Sequence, residues 1–438
     1  MVKLPDYVID ACKIIIENGF NCYAVGGGVR DSLLNLTPTD WDLSTDALPE
    51  DVERIFEKSF PTGKRFGTIS VMVNEKILEI TTMRSDGSYS DGRHPDEVKF
   101  TTEIVQDLSR RDFTINAIAY HPLDKKFTDP FRGRKHLKKK LLMTVGDPRE
   151  RFQEDPLRML RLLRFQSTLD FKVDKKTYEA IPCLAPLVDR VSTERVLSEL
   201  NKMLLGKAFS LAMQNFYSCG LLEEIIPELA ACSGVFAGKN HPFDLLGHAT
   251  NATHYAYPSL EIRWAALLHD LGKLKTLKRE HQEISAELAE AILRRLKADN
   301  HLINKVTTLI ANHMYDITPH SRDKTIRKFM AKVGSDMAYD LVSLRQADMA
   351  GMNKDPRIIV EYGKQMNQRL DQIVNEDSAL SIKDLKIDGY MLMDTFDLMP
   401  GPEIGTILNL LLEHVLDNPA LNNSGDLLSL ARDHLLGK

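Results

Sequence analysis

Two aspartates stand one residue apart in Asp40-Trp41-Asp42. On a β-strand, residues two apart project to the same face, so both carboxylates lie side by side. A cation between them relieves their repulsion, and hard carboxylate oxygens suit Mg²⁺, which bridges protein and substrate phosphates. Taken alone, such a pair reads as a solvated turn. Its neighbours change that reading. A dozen residues upstream, the apolar run Cys22–Val25 enters Gly26-Gly27-Gly28-Val29-Arg30-Asp31 and then a helix. Glycines at a strand-to-helix turn let backbone N–H groups approach a phosphate, and the helix N-terminus favours an anion. Cradle and paired carboxylates together describe a triphosphate site beside a metal site. Glu79, flanked by Leu78 and Ile80, is either an edge-strand charge or a third metal ligand.

Those residues need a scaffold. Cys22–Val25, Trp41–Leu43, Thr68–Val73 and Ile77–Thr82 read as strands, and 29–36 reads as a helix. Beyond Lys140 strand-like alternation fades, and Pro156–Thr168, Glu194–Leu205 and Ser285–Lys297 carry helical periodicity. The fold class is therefore α+β: a mixed-sheet head followed by helices. Turn-rich breaks near Gly234–Lys239, Met352–Pro356 and Met399–Gly405 mark candidate boundaries. At 438 residues, 43% hydrophobic and 27% charged, the chain is globular and multi-domain, not disordered or collagen-like. No apolar run is long enough to span a membrane, and the N-terminus does not read as a signal peptide. Five cysteines without a Cys-x-x-Cys fit a reduced, cytoplasmic compartment. The net charge of −5 argues against coating nucleic acid by bulk charge. Residues 132–165 nevertheless hold eleven Lys or Arg against four Asp or Glu, a local basic surplus that suits a phosphate backbone.

Gly26-Gly27-x-x-Arg30-Asp31 followed by Asp40-x-Asp42 resembles the nucleotidyltransferase motif of the polymerase-β superfamily. Four further stretches make the chain similar to the bacterial and eukaryotic class of tRNA nucleotidyltransferases (CCA-adding enzymes) and the related bacterial poly(A) polymerases. Arg110-Arg111-Asp112-Phe113-Thr114-Ile115-Asn116 resembles the ribose-reading motif, Asp129-Pro130-Phe131-x-Gly133 the hinge-like motif, Glu154-Asp155-Pro156-Leu157-Arg158 the base-choosing motif, and Glu194-Arg195-Val196-x-x-Glu199-Leu200 the structural motif that closes the set. The resemblance covers roughly residues 20–205. It implies that Asp40 and Asp42 hold Mg²⁺, and Glu79 joins them as a candidate catalytic residue. It also assigns nucleotide contacts to Gly26, Gly27, Arg30, Arg111, Asp112, Asn116, Asp155, Arg158, Arg161 and Arg164.

Base choice also has a reading from the residues. Asp155 and Arg158, three apart on one helix, share a face. An acceptor beside a rigid donor fork matches the pairing edge of cytosine, and after reorientation adenine, but not uracil or guanine. The polar stretch Arg84–Pro95 resembles a loop that CC-only enzymes lack, which argues against CC-only addition.

Downstream, His248, His269-Asp270 and Asp348 follow the order of the HD phosphohydrolase superfamily, in which these four bind a divalent metal. A mixed imidazole and carboxylate set accepts Mn²⁺, Ni²⁺, Co²⁺ or Zn²⁺. His281 and His313 are candidate extra ligands or phosphate contacts. Ile387-Asp388-Gly389 and Pro400–Gly405 resemble the tail of HD-containing tRNA nucleotidyltransferases. The expected division is a nucleotidyltransferase head (1–140), a helical neck and body (141–235), an HD domain (236–355) and an RNA-binding tail (356–438). The expected function is template-independent addition of C, C and A from CTP and ATP to the 3′ end of tRNA. Its rivals are A-only addition, poly(A) synthesis (the basic Gly63-Lys64-Arg65-Phe66 is reminiscent of those enzymes), and an HD hydrolase with an RNA-binding head.

Overall fold

The computed structural model describes residues 2–86, 98–238, 241–278, 280–376 and 379–436. Residues 87–95 of the expected C-to-A loop lie outside them. The chain forms two compact units, Met1–Ala230 and Ala231–Lys438.

The first unit is built on a seven-stranded mixed sheet. Its strands are β1 (Cys22–Val25), β2 (Asp42–Thr45), β3 (Ser59–Gly63), β4 (Thr68–Val73), β5 (Lys76–Thr82), β8 (Ala119–His121) and β9 (Lys126–Thr128), while β6 (Arg84–Asp86) and β7 (Val98–Phe100) form a separate ribbon. The order across the large sheet is β3-β4-β5-β2-β1-β8-β9. The β2–β5 pair is parallel and its neighbours are antiparallel. Alternation in β5 buries Leu78 and Ile80 on one face and sends Ile77 and Glu79 to the other. The ribbon is the stem of the loop that the sequence marks at Arg84.

Helix α1 (Asp6–Glu17) buries Val8, Ala11, Cys12 and Ile15, and α2 (Gly27–Leu33) leaves β1 through the glycine turn. The strand expected at Trp41–Leu43 instead begins at Asp42, so Asp40 and Trp41 lie in the approach to it. The register is the cause: Asp42 pairs with Val25, the last residue of β1, and the chain turns away at Gly26 (φ 72°), so residue 41 has no partner in β1. The Trp41 ring packs instead on Gly28, where a Cβ would lie 2.6 Å from it.

Two helices close the site side of this unit: α3 (Leu157–Leu169), almost wholly buried, and α4 (Thr193–Leu204) packed on it. The second unit is helical. It includes α5 (Leu245–Tyr255), α6 (Leu260–Leu268), α7 (His281–Arg295), α8 (Asn300–Ala311), α9 (Ser335–Gly351) and α10 (Pro402–Asp417). Asp388 caps the helix that starts at Gly389 by accepting from Met391 N at 2.9 Å, and Pro402 occupies the first turn of α10. The tail motifs thus cap helices around a core of Leu392, Ile407, Leu411 and Leu427.

Candidate active site

Parallel pairing sets Asp42 opposite Glu79. Because β5 lies between β4 and β2, Glu79 is not an edge-strand charge. Burial, and after it the charge of Asp40, pushes Asp42 towards holding its proton, against Arg111. Burial, Asp42 and Asp40 push Glu79 the same way. Carboxylates crowded in this way are a set that a divalent cation stabilises, and all-oxygen donors suit Mg²⁺.

These residues open on a cleft of about 740 Å³ that includes every residue assigned from sequence to the metal and nucleotide sites of the first unit: Gly26, Gly27, Arg30, Asp40, Asp42, Glu79, Arg111, Asp112, Asn116, Asp155, Arg158, Arg161 and Arg164. Seven arginines line it, which selects for an anion. At Gly26 the backbone has φ 72°, and a Cβ would meet Arg111 Nη1 at 3.0 Å and Asp42 Oδ2 at 3.3 Å. Only glycine lets the turn, a cation and a carboxylate converge there. Arg30 is held by Asp31 (Nε to Oδ1, 2.8 Å) and donates to Asn116 Oδ1 at 2.8 Å.

Asp107, which sequence reasoning missed, anchors the ribose-type motif. It is fully buried, accepts from Ser44 Oγ at 3.2 Å, and pairs with Arg110 at 2.8 Å and Arg111 at 3.4 Å. Burial works against its charge, yet the two arginines keep its carboxyl below the ordinary range. Asp112 is likewise held well below it, mainly by Arg161 against burial. It accepts from Phe113 N (2.7 Å), Asn116 Nδ2 (3.0 Å), and Arg161 Nε and Nη2 (2.9 and 2.7 Å). Those four donors fill a carboxylate's lone-pair directions.

Asp155 and Arg158 do not share a helical face as expected. Asp155 is extended (φ −141°, ψ 100°), in the break before Pro156, and α3 begins only at Leu157. Pro156 disfavours helical geometry in the residue before it. Each of the pair has its own anchor: Arg195 Nη2 donates to Asp155 Oδ2 at 2.7 Å, and Arg158 Nη1 donates to Glu154 Oε2 at 2.6 Å. Glu199 holds Arg164 at 2.8 Å and Arg161 at 3.4 Å. The stretch read as structural therefore braces the base-choosing stretch. Phe165, also missed, lies under three guanidinium groups, with Arg164 at 3.5 Å, Arg30 at 5.0 Å and Arg161 at 5.6 Å from its ring centroid. Its place four residues beyond Arg161 on α3 was the available signal.

Comparison with known proteins identifies the family. Residues 22–143 match the family described as "Poly A polymerase head domain", 170–232 "Probable RNA and SrmB- binding site of polymerase A", and 263–431 "tRNA nucleotidyltransferase domain 2 putative". A CCA-adding enzyme of Lactococcus lactis subsp. lactis is 32% identical over 429 residues, covering 96% of each chain. The chain belongs to the CCA-adding enzyme family. A Bacillus subtilis member is 41% identical over 272 residues, 62% of this chain and 66% of that one. The Bacillus stearothermophilus CCA-adding enzyme, solved in complex with CTP, superposes with a TM-score of 0.76 at 25% identity, over 99% of this chain and 98% of that chain.

This family member also gathers the downstream residues. His248 on α5, His269 and Asp270 at the end of α6, His281 opening α7, His313 just after α8 and Asp348 on α9 converge within the second unit. His248 Nε2 lies 3.1 Å from His269 Nε2, 3.3 Å from Asp270 Oδ2 and 3.3 Å from Asp348 Oδ1. Burial pulls His248 down, but the two carboxylates prevail and carry it up to about 9. Burial, then His269, brings His313 down to about 3. Imidazole nitrogens and carboxylates at these separations fit a transition metal.

Proposed function

We propose that the chain adds C, C and A to the 3′ end of tRNA from CTP and ATP, without a nucleic-acid template. The observation that carries this reading is the convergence of Asp40, Asp42 and Glu79 with Asp155 and Arg158 on one arginine-lined cleft. The likeness to full-length CCA-adding enzymes supports it. The tRNA 3′-oxygen attacks the α-phosphorus, the bond to the β-phosphate bridging oxygen breaks, and pyrophosphate leaves. Asp40, Asp42 and Glu79 would hold Mg²⁺, which when bound lowers the pKa of the attacking hydroxyl and offsets charge on the phosphates.

The chain's own groups do the rest. Backbone N–H groups of the Gly26–Gly27 turn, with Arg30, hold the triphosphate. Arg111 reaches the ribose. Asp112, occupied by protein donors, positions Arg161 and Asn116; for a 2′-OH to reach it, one of those bonds has to yield. Asp155 accepts from the exocyclic amine of C or A, and Arg158 donates to ring acceptors. Arg195 and Glu154 hold that pair behind the base. The ribbon β6–β7 supports the loop between C and A addition, which favours full CCA over CC-only synthesis. The basic stretch from Arg132 onward contacts acceptor-stem phosphates, since duplex RNA is read by shape.

In the second unit, His248, His269, Asp270 and Asp348 hold a divalent transition metal and serve a phosphate-ester hydrolase. The five free cysteines support a cytoplasmic setting. Among the described residues no helix is long and apolar enough to cross a membrane.

The test is purified protein with labelled tRNA ending at the discriminator base, given CTP and ATP singly and together. Three residues added only with both nucleotides, C before A, is the expected result. Extension by A alone, or a long poly(A) product, overturns it.

A further inference from the structure

Three guanidinium groups from two helices crowd one aromatic ring that lines the cleft. We propose that Phe165 is a positioning residue for the nucleotide's phosphates. Its ring gathers Arg30, Arg161 and Arg164 into one anion-binding cluster and so sets affinity for CTP and ATP alike. The inference rests on the reading of the cleft as a nucleotide site.

Like charges repel, so their gathering needs a cause. Arg30 comes from α2, and Arg161 and Arg164 come from α3. Their guanidinium carbons lie 5.0, 5.6 and 3.5 Å from the centroid of the Phe165 ring. All three fall within the roughly 6 Å over which a ring face attracts a cation. That attraction strengthens where water is kept away. Phe165 is 2% exposed, and the side chains of Arg30 and Arg164 are 11% and 13% exposed.

Carboxylates hold the same arginines in a different way. Asp31 takes Arg30 at 2.8 Å, Asp112 takes Arg161 at 2.7 Å and Glu199 takes Arg164 at 2.8 Å. A carboxylate cancels charge, whereas a ring carries none. An arginine drawn by a ring's quadrupole therefore gives up none of its charge to that partner. Asn116 joins the ion pairs, accepting from Arg30 at 2.8 Å and donating to Asp112 at 3.0 Å. Glu199 also reaches Arg161 at 3.4 Å. This circuit leaves the ring at Arg30 and returns to it at Arg164. It ties α2, which follows the glycine turn, to the helix that carries Arg158.

Burial alone does not call for an aromatic side chain at this place. Leu160, Leu162 and Leu163 are fully buried on the same helix, yet leucine offers no π face. Position 165 lies four residues after Arg161, so both project to one side of α3. Phe113, next to Asp112, meets the ring at 5.6 Å and 84°, an edge-on contact that holds its plane.

The test replaces Phe165 in the full chain by mono-, di- and trifluorophenylalanine through amber suppression. Fluorine drains negative charge from the ring face and changes its shape little. CTP and ATP are titrated in by calorimetry without tRNA, so that binding is read apart from turnover. Affinity should fall stepwise with each fluorine, by roughly three- to tenfold at the trifluoro ring. The loss should be equal for CTP and ATP, which share the triphosphate, and the melting temperature should hold. Phe165→Leu should lose at least as much affinity. Nucleotide binding that ignores fluorination overturns the proposal and leaves Phe165 as packing. A loss confined to one nucleotide also overturns it, because the ring would then act on the base. Failure of the wild type to bind either nucleotide is a separate result and removes the nucleotide-site reading itself. The fluorinated series, nearly equal in shape to the native ring, decides the matter even if Phe165→Leu does not fold.

Discussion

At Asp42 three opposing influences meet: burial, the neighbouring Asp40 and the partly compensating Arg111. A carboxylate whose folded proton affinity is raised contributes stability that declines as pH rises from the ordinary Asp range through its raised value. Bound cation reverses that loss. Asp42→Asn should therefore melt higher than wild type in metal-free buffer at neutral pH, while Asp42→Ala abolishes CTP and ATP incorporation and leaves tRNA binding largely intact. Calorimetry and a filter-binding assay check both; incorporation within tenfold of wild type would take Asp42 out of the chemistry. Base choice belongs to the same scale. Asp155→Ala or Arg158→Ala removes half of the hydrogen-bonding pattern, about 1–3 kcal/mol, so UTP and GTP exclusion should weaken by roughly ten- to a hundredfold. Arg195→Ala, which only frees Asp155 to rotate, should relax selectivity less and leave CTP turnover nearly unchanged. An unaltered UTP-to-CTP ratio in Asp155→Ala would return the residue to a purely structural ion pair.

Elements position these side chains through a few close approaches. The helix from Gly133 to Lys139 starts where Asp129 accepts from Gly133 N at 2.6 Å and Arg134 N at 3.0 Å. A Cβ at Gly133 would stand 2.1 Å from Thr114 O, in the stretch that carries Asn116. Gly133→Ala should then lower the stability of the first unit by about 1–3 kcal/mol, as overpacking does, and raise KM for CTP through Asn116 and Arg30. Thermal melting and steady-state kinetics measure it; an unchanged KM with lowered stability would confine the glycine to folding. The motif looked hinge-like in sequence, and its glycine is needed because backbone packs on backbone there.

For the whole molecule, the carboxylates of the cleft lie in the first unit and the histidine cluster in the second. Donor chemistry differs between them, all-oxygen in one and mixed in the other. A His269→Ala, Asp270→Ala double variant should keep CCA addition within a few-fold of wild type, lose transition-metal binding and lose any phosphate-ester hydrolysis. Metal content and both activities on one preparation decide it. Loss of CCA addition in a folded variant would mean that the second unit helps build the polymerising site.

The sequence by itself determined which residues are available for chemistry. Periodicity placed β1, β4, β5 and the helices α3 and α4 within a few residues, because alternation and helical spacing are local. The glycine turn, the Asp-x-Asp pair and the arginines of residues 158–164 were legible for the same reason: their meaning lies in neighbours a few positions away. Tertiary structure decided what those residues do to each other. Glu79 became a partner of Asp42 only when β5 paired in parallel with β2, a register no local pattern encodes. Asp155 left the helix because Pro156 follows it, and its anchor, Arg195, comes from forty residues onward. The bond from Ser44 to Asp107, the approach of Arg30 to Phe165 and the facing of His281 and His313 depend on contacts across long stretches of chain. Such contacts are set by packing of whole elements, where burial and close approach override the spacing that sequence displays.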